Sequence, residues 1–212
     1  MKLSTFVFAI STVLLSQSSF AIDDAAMPLQ QQWDVAKYQT DKNDREKAFE
    51  ALAKQAKEAE LKHPNNAEVL VWEAIILSTY AGEKGGFSAL RLVKDAKALL
   101  DRAEKINPEV LDGSIYTSLG SLYYQVPGWP LGFGDDDLAR DYLTKALALS
   151  PDDIDANYFY GDYLLEEGEY QDAIKAFNKA LIAPSRPNRA IADEGRKAEI
   201  KAALANAESH MH

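Results

Sequence analysis

The sequence contains no cysteine. That absence excludes a disulfide framework, a zinc ribbon, a thiolate nucleophile and a dithiol redox pair. It also removes the residue that a bacterial lipoprotein anchor is built on. Histidine is almost as scarce. There are three in 212 residues, and two of them, His210 and His212, stand at the extreme C-terminus. Little material remains for a histidine metal site or a catalytic triad. Basic residues are in deficit, with 23 Lys and Arg against 33 Asp and Glu, a formal net charge of -10 and a pI near 4.8. Nucleic acid, whose phosphates demand clustered cations, is a poor partner for such a chain. An acidic surface favours a protein or peptide partner of basic character instead. No stretch approaches the roughly 20 apolar residues that span a bilayer. No nucleophile elbow or nucleotide loop occurs either. Gly82-Glu83-Lys84-Gly85-Gly86 lacks both the Gly-Lys-Ser/Thr ending and the preceding strand of a phosphate loop. The reading is of a protein with no cofactor and no enzymatic activity.

What is present is 47% hydrophobic residues, ample for a folded domain. The first residues read as an address. Lys2 precedes an apolar run from Phe6 to Leu15, then the polar Ser16-Gln17-Ser18-Ser19. Ser19-Phe20-Ala21 offers small residues at the two positions a signal peptidase reads, and Ile22-Asp23-Asp24 turns acidic. Residues 1–21 are therefore expected to be a cleavable signal peptide. The mature chain, 22–212, is expected in the periplasm without a membrane anchor.

The rest repeats. Small residues seven apart, followed by a proline, occur as Ala96, Ala103 and Pro108, as Ala139, Ala146 and Pro151, and as Ala173, Ala180 and Pro184. Leu52, Ala59 and Pro64 match more weakly. Both landmarks advance by 44, 43 and then 34 residues. Each set carries apolar residues at i, i+3, i+4 and i+7, as in Ala173, Ile174, Phe177, Ala180 and Leu181, which specifies an amphipathic helix. Small residues two turns apart let a neighbouring helix come close. A second helix precedes each one, and Gly120 and Gly161 fall at equivalent places in two of them. Glycine inside a helix costs roughly 1 kcal/mol relative to alanine, so a close helix crossing is expected there.

This pattern resembles the tetratricopeptide repeat (TPR) family. Gly161, Gly168, Tyr170, Ala173, Phe177 and Ala180 match the 34-residue motif in spacing and type, and Leu119, Gly120, Tyr123, Ala139, Ala146 and Pro151 match it with seven extra residues between the helices. The resemblance implies an all-α fold, a TPR-like α-solenoid of about four helix-turn-helix units. The units are expected at about 28–64, 66–108, 112–151 and 153–187. A C-terminal capping helix is expected over 189–207, polar on its outer face, followed by a fraying tail. Two enlarged inter-helix loops are expected, one around Tyr80–Phe87 and one around Gln125–Asp137, both at the same edge of the array. Asp135, Asp136 and Asp137 read as the capped start of the next helix.

In this family the first helix of each unit lines an inner, concave surface that holds peptides or helices of partner proteins. Carried over residue by residue, that implies partner contacts at Thr117, Ser121, Tyr124, Tyr158 and Asp162. Trp129 and Phe133 in the second loop are candidates for contact with a ligand or partner, against the plain alternative of local packing. Two functions follow. The first is a non-enzymatic periplasmic protein-protein interaction scaffold. The second is a transport accessory handling a small, partly apolar ligand, similar to the T component associated with tripartite ATP-independent (TRAP) transporters. This chain departs from the lipid-anchored members of that group in lacking the lipoprotein cysteine.

Overall fold

The computed structural model describes residues 22–211, so the segment read as a signal peptide lies outside the described residues. Among those residues nine α-helices follow one another and no strand occurs. They are α1 Met27–Tyr38, α2 Arg45–Lys62, α3 Ala67–Lys84, α4 Gly86–Ile106, α5 Ser114–Gln125, α6 Asp136–Leu149, α7 Ile154–Glu166, α8 Tyr170–Leu181 and α9 Ala190–Ser209. Helices adjacent in sequence pack as the pairs α1/α2, α3/α4, α5/α6 and α7/α8, and α9 lies on α8. The array is all-α and TPR-like.

Local chemistry starts the helices. The Asn66 side chain accepts hydrogen bonds from the Glu68 and Val69 amides, Asp135 from Leu138, and Asp153 from Ala156. Each satisfies backbone donors that have no partner inside the helix. Of the three consecutive acids, Asp135 is the cap, and Asp136 and Asp137 occupy the first turn. The plain reading of those acids accounts for them.

The small residues do what their spacing implies. Ala96, Ala103, Ala139, Ala146, Ala173 and Ala180 are all fully buried. A Cβ on Gly120 would stand 2.6 Å from Leu143 Cγ, and one on Gly161 would stand 2.7 Å from the Phe177 ring. Helix propensity alone would make Gly161→Ala stabilising by about 1 kcal/mol. The collision should win, because inserting a methyl into a packed interface costs about 1–3 kcal/mol. We therefore expect Gly161→Ala to lower the midpoint of urea unfolding, and an unchanged or higher midpoint would show that the α7/α8 crossing is looser than these distances.

One expectation fails. The enlarged loop at residues 80–87 does not form. Gly82 remains helical, α3 continues to Lys84, and α4 begins at Gly86. The chain reverses on two consecutive glycines, Gly85 with φ +66° and Gly86 with φ +65°, and the Gly85 amide donates to the Ala81 carbonyl. The extra residues lengthen the helices, to 18 residues in α3 and 21 in α4. No proline interrupts this stretch, so the helix continues through its glycines until a left-handed residue turns it. The second insertion is a true loop, residues 126–135, between α5 and α6. Pro127 and Pro130 cannot continue a helix. Gly132 and Gly134 lie against the Pro127 and Val126 carbonyls, where a Cβ has no room.

The other correction concerns α9. It buries Ala192 and Ile200, as a cap should, but Asp193 and Arg196 are buried with them. It also reaches across to α1. The tail does not fray as far as His210, which stacks on Tyr170 with ring centroids 4.5 Å apart.

Candidate functional site

The inward sides of α1, α3, α5 and α7 surround a cavity of about 460 Å³. Trp33 and Lys37 come from α1, Trp72 and Thr79 from α3, and Thr117 and Ser121 from α5. Asp155, Tyr158 and Asp162 come from α7. In an open solenoid this surface would be a groove. Here α9 closes it. Tyr38 of α1 packs on Gly195, where any side chain would collide with its ring. The Tyr38 hydroxyl donates to Glu199 at 3.1 Å, and Lys37 approaches the same carboxylate at 3.6 Å. Arg189, just ahead of α9, pairs with Asp34 at 3.1 Å. The last helix thus meets the first across the concave face.

A charged network lines the closed side. Asp155 accepts from Arg186 Nη1 and from Arg196 Nε, both at 2.6 Å. Arg186 also donates to Asp193 at 2.7 Å, and Arg196 to Glu199 at 2.6 Å. Burial alone would push Asp155 up, but Arg186, Arg196 and Arg189 outweigh it and hold its carboxyl well below the usual carboxylate range. Asp34 goes the other way, since burial pushes it up to about 6 against the pull of Arg189. The guanidiniums also lie on aromatic faces. Arg196 sits 4.3 Å from the Tyr158 ring centroid and Arg189 5.1 Å from that of Trp72. Stacking of this kind holds an arginine in one orientation.

The seven residues singled out from the sequence separate in the structure. Thr117, Ser121, Tyr158 and Asp162 face the cavity. Tyr124 is buried beneath it, and its hydroxyl donates to Asp162 Oδ2 at 2.7 Å while accepting from Gln125 at 3.0 Å. It positions Asp162. Burial pushes the Tyr124 hydroxyl well above its ordinary range, with the Asp162 charge adding to the effect. Phe133 folds back onto Tyr123, edge to face at 5.6 Å, and is local packing. Trp129 is 90% exposed and does not line the cavity.

Sequence reasoning missed Trp33, Trp72, Asp155, Arg186, Arg189 and Arg196. Trp33 sits in the most degenerate repeat. The arginines lie in the linker Pro184–Arg189 and on the cap helix, which reads as a water-facing terminus. Their only signal was the cluster Arg186, Arg189 and Arg196 in an otherwise acidic chain.

Residues 131–192 match the family model of the tetratricopeptide repeat. No curated protein matches the chain significantly. Among solved structures, MamA shares 21% identity, with 80% of this chain and 92% of that chain covered and a TM-score of 0.44. A second MamA structure shares 20% identity over 87% of this chain and 93% of that one, with a TM-score of 0.43. TTC0263, a thermophilic TPR protein in Thermus thermophilus, shares 17% identity over 85% of this chain and 99% of that chain, with a TM-score of 0.44. Residues 131–192 thus match the tetratricopeptide repeat, and the described residues form an all-α, TPR-like array of paired helices.

Proposed function

We propose that this protein is an exported, non-enzymatic scaffold that holds a partner protein or peptide through its concave face, acting in the periplasm. The observation that carries the reading is the convergence of Thr117, Ser121, Tyr158 and Asp162, from consecutive units, on one cavity. Repeat arrays use this concave surface for recognition. The net charge of -10 favours a partner of basic character.

A second reading is supported by a specific observation, the closure of α9 on α1. Closure limits the space to about 460 Å³, within the range of small-molecule sites, roughly 300–1,000 Å³. That favours a compact occupant, such as the small, partly apolar ligand of a transport accessory like the TRAP T component.

Native mass spectrometry of the mature protein, mildly purified from its host's periplasm, separates the two. A co-purifying species of protein mass supports the scaffold. An adduct of a few hundred daltons supports ligand handling. In either case Asp162→Asn should release about tenfold more of the bound species, as expected when one charge-assisted hydrogen bond becomes a neutral one. Its melting temperature should move little, because the amide oxygen still accepts from Tyr124. Undiminished retention would remove Asp162 from the site.

A further inference from the structure

A second cavity, of about 450 Å³, lies where the α3–α4 corner meets the 126–135 loop. Its wall is apolar, made by Ala81, Leu90, Val93, Leu122, Val126 and Pro127. Phe87 and Leu131 stand at its rim, 84% and 56% exposed. Large apolar side chains left in water around a concave surface mark a binding surface rather than random exposure. The cavity does not stand alone. Ser78, Gly82, Ser121 and Gln125 line both it and the concave cavity, so the two adjoin across these residues.

Gly82 is informative. It lies inside α3, where glycine costs roughly 1 kcal/mol relative to alanine. Unlike Gly120 and Gly161 it has no packing reason, since a Cβ there would meet nothing within 4 Å. Having no side chain, it projects nothing between the two cavities that it lines.

Charge distinguishes the two ends. Among the described residues, every cation lining the concave cavity is held by a carboxylate. Lys37 pairs with Glu199, Arg186 with Asp155 and Asp193, Arg189 with Asp34, and Arg196 with Asp155 and Glu199. Four of the lining acids, Glu83, Asp112, Asp153 and Asp162, have no cation paired with them at salt-bridge distance; Asp153 caps α7, and Glu83 stands next to Gly82. The charge left over at the polar end is negative.

We propose that the two cavities form one site for a soluble amphipathic organic cation. Its apolar body lies between Phe87, Leu90, Leu122 and Leu131, and its positive head enters the concave cavity past Gly82 toward Glu83 and Asp162. This rests on the ligand-handling reading above.

The test is titration calorimetry of the processed protein with three probes of equal chain length, each below its micelle concentration. They are dodecyltrimethylammonium, dodecanoate and dodecyl maltoside. The ammonium is expected to bind about tenfold more tightly than the carboxylate, the equivalent of one modest ion pair. Glu83→Gln combined with Asp162→Asn should abolish that preference while leaving dodecyl maltoside binding unchanged. Gly82→Leu should weaken all three probes by about tenfold with an unchanged or raised melting temperature. Should Gly82→Leu unfold the protein, Ser121→Leu blocks the same boundary from α5. Equal binding of dodecanoate, binding of none of the probes, or full binding in the blocked variants would each overturn the proposal. So would co-sedimentation with phosphatidylcholine vesicles that is lost in Phe87→Ser, which would make this edge a membrane contact. A protein partner found by mass spectrometry would stand whatever these probes do, so failure here leaves the scaffold reading intact.

Discussion

Asp155→Ala should destabilise the fold by about 3 kcal/mol, the lower end of what is lost when one member of a buried ion pair is removed. The carboxylate joins Arg186 on the linker to Arg196 on α9, and both guanidiniums are drawn out of water by the closure. Taking it away leaves two largely desolvated cations with one anion each, Asp193 and Glu199. Those remaining partners are why the loss stays near the low end. Asp155→Asn keeps an acceptor and should recover part of it. Urea unfolding of the three proteins at pH 7 checks the order. Hydrogen exchange adds the spatial test. In Asp155→Ala, α9 and α1 should lose protection before α5 and α6, because the network fastens the closure and not the middle of the array. Uniform loss would show that the closure unfolds only with the whole protein.

The second large effect concerns pH. Glu73 on α3 is buried on the side away from the concave cavity, and its Oε2 has no hydrogen-bond partner. Burial pushes its carboxyl up to about 7, against the pull of Lys57 and Arg102 and with Glu60 and Asp95 reinforcing it. The sign follows from proton linkage. A carboxyl whose pKa is higher in the folded state binds a proton that the unfolded chain does not, between its ordinary value of 4.5 and about 7. Stability therefore falls as pH rises through that window. Asp34, raised to about 6, acts in the same direction. Asp155 acts oppositely, because its depressed value makes a contribution that is present above its ordinary 3.8 and lost as pH falls below it. The melting temperature should therefore peak near pH 4, where the Asp155 contribution is complete and the other two carboxyls are still protonated in the fold, and decline until about pH 7. Glu73→Gln should raise stability at pH 8 by up to about 3.5 kcal/mol, since each tenfold change in proton affinity on folding is worth about 1.4 kcal/mol. It should also flatten the decline. Glu73→Gln destabilising at pH 8 would mean that its charge is compensated in the fold.

Fold and site were legible to different depths. The helix pairs show in residues that report on their immediate neighbours. Ala173, Ala180 and Gly161 are small because another helix lies against them, and the short distance in sequence between α7 and α8 makes that partner unambiguous. The loop at 126–135 declares itself through Pro127 and Pro130. At Gly85 a tight turn stands where a longer loop is expected, because glycine marks where a chain can bend, whereas the apolar stripe of α3 decided how far the helix continued. On the site, Thr117, Ser121, Tyr158 and Asp162 lie on first helices, so helical register was enough to aim them inward. Tyr124 lies on the same kind of face but is buried, a difference in depth that periodicity does not carry.

What the sequence determined by itself is everything that rests on short-range periodicity and composition. That includes the all-α class, the paired helices, the capped start at Asp135, and the absence of thiol chemistry. Tertiary structure alone decided that the array closes. Tyr38 and Glu199 meet across 161 residues, and Arg196 finds Asp155 across 41. Such contacts depend on the summed rotation of every unit between them. A side chain such as Arg196 looks the same in sequence whether it ends up in water or, as here, ties the last helix across the concave face.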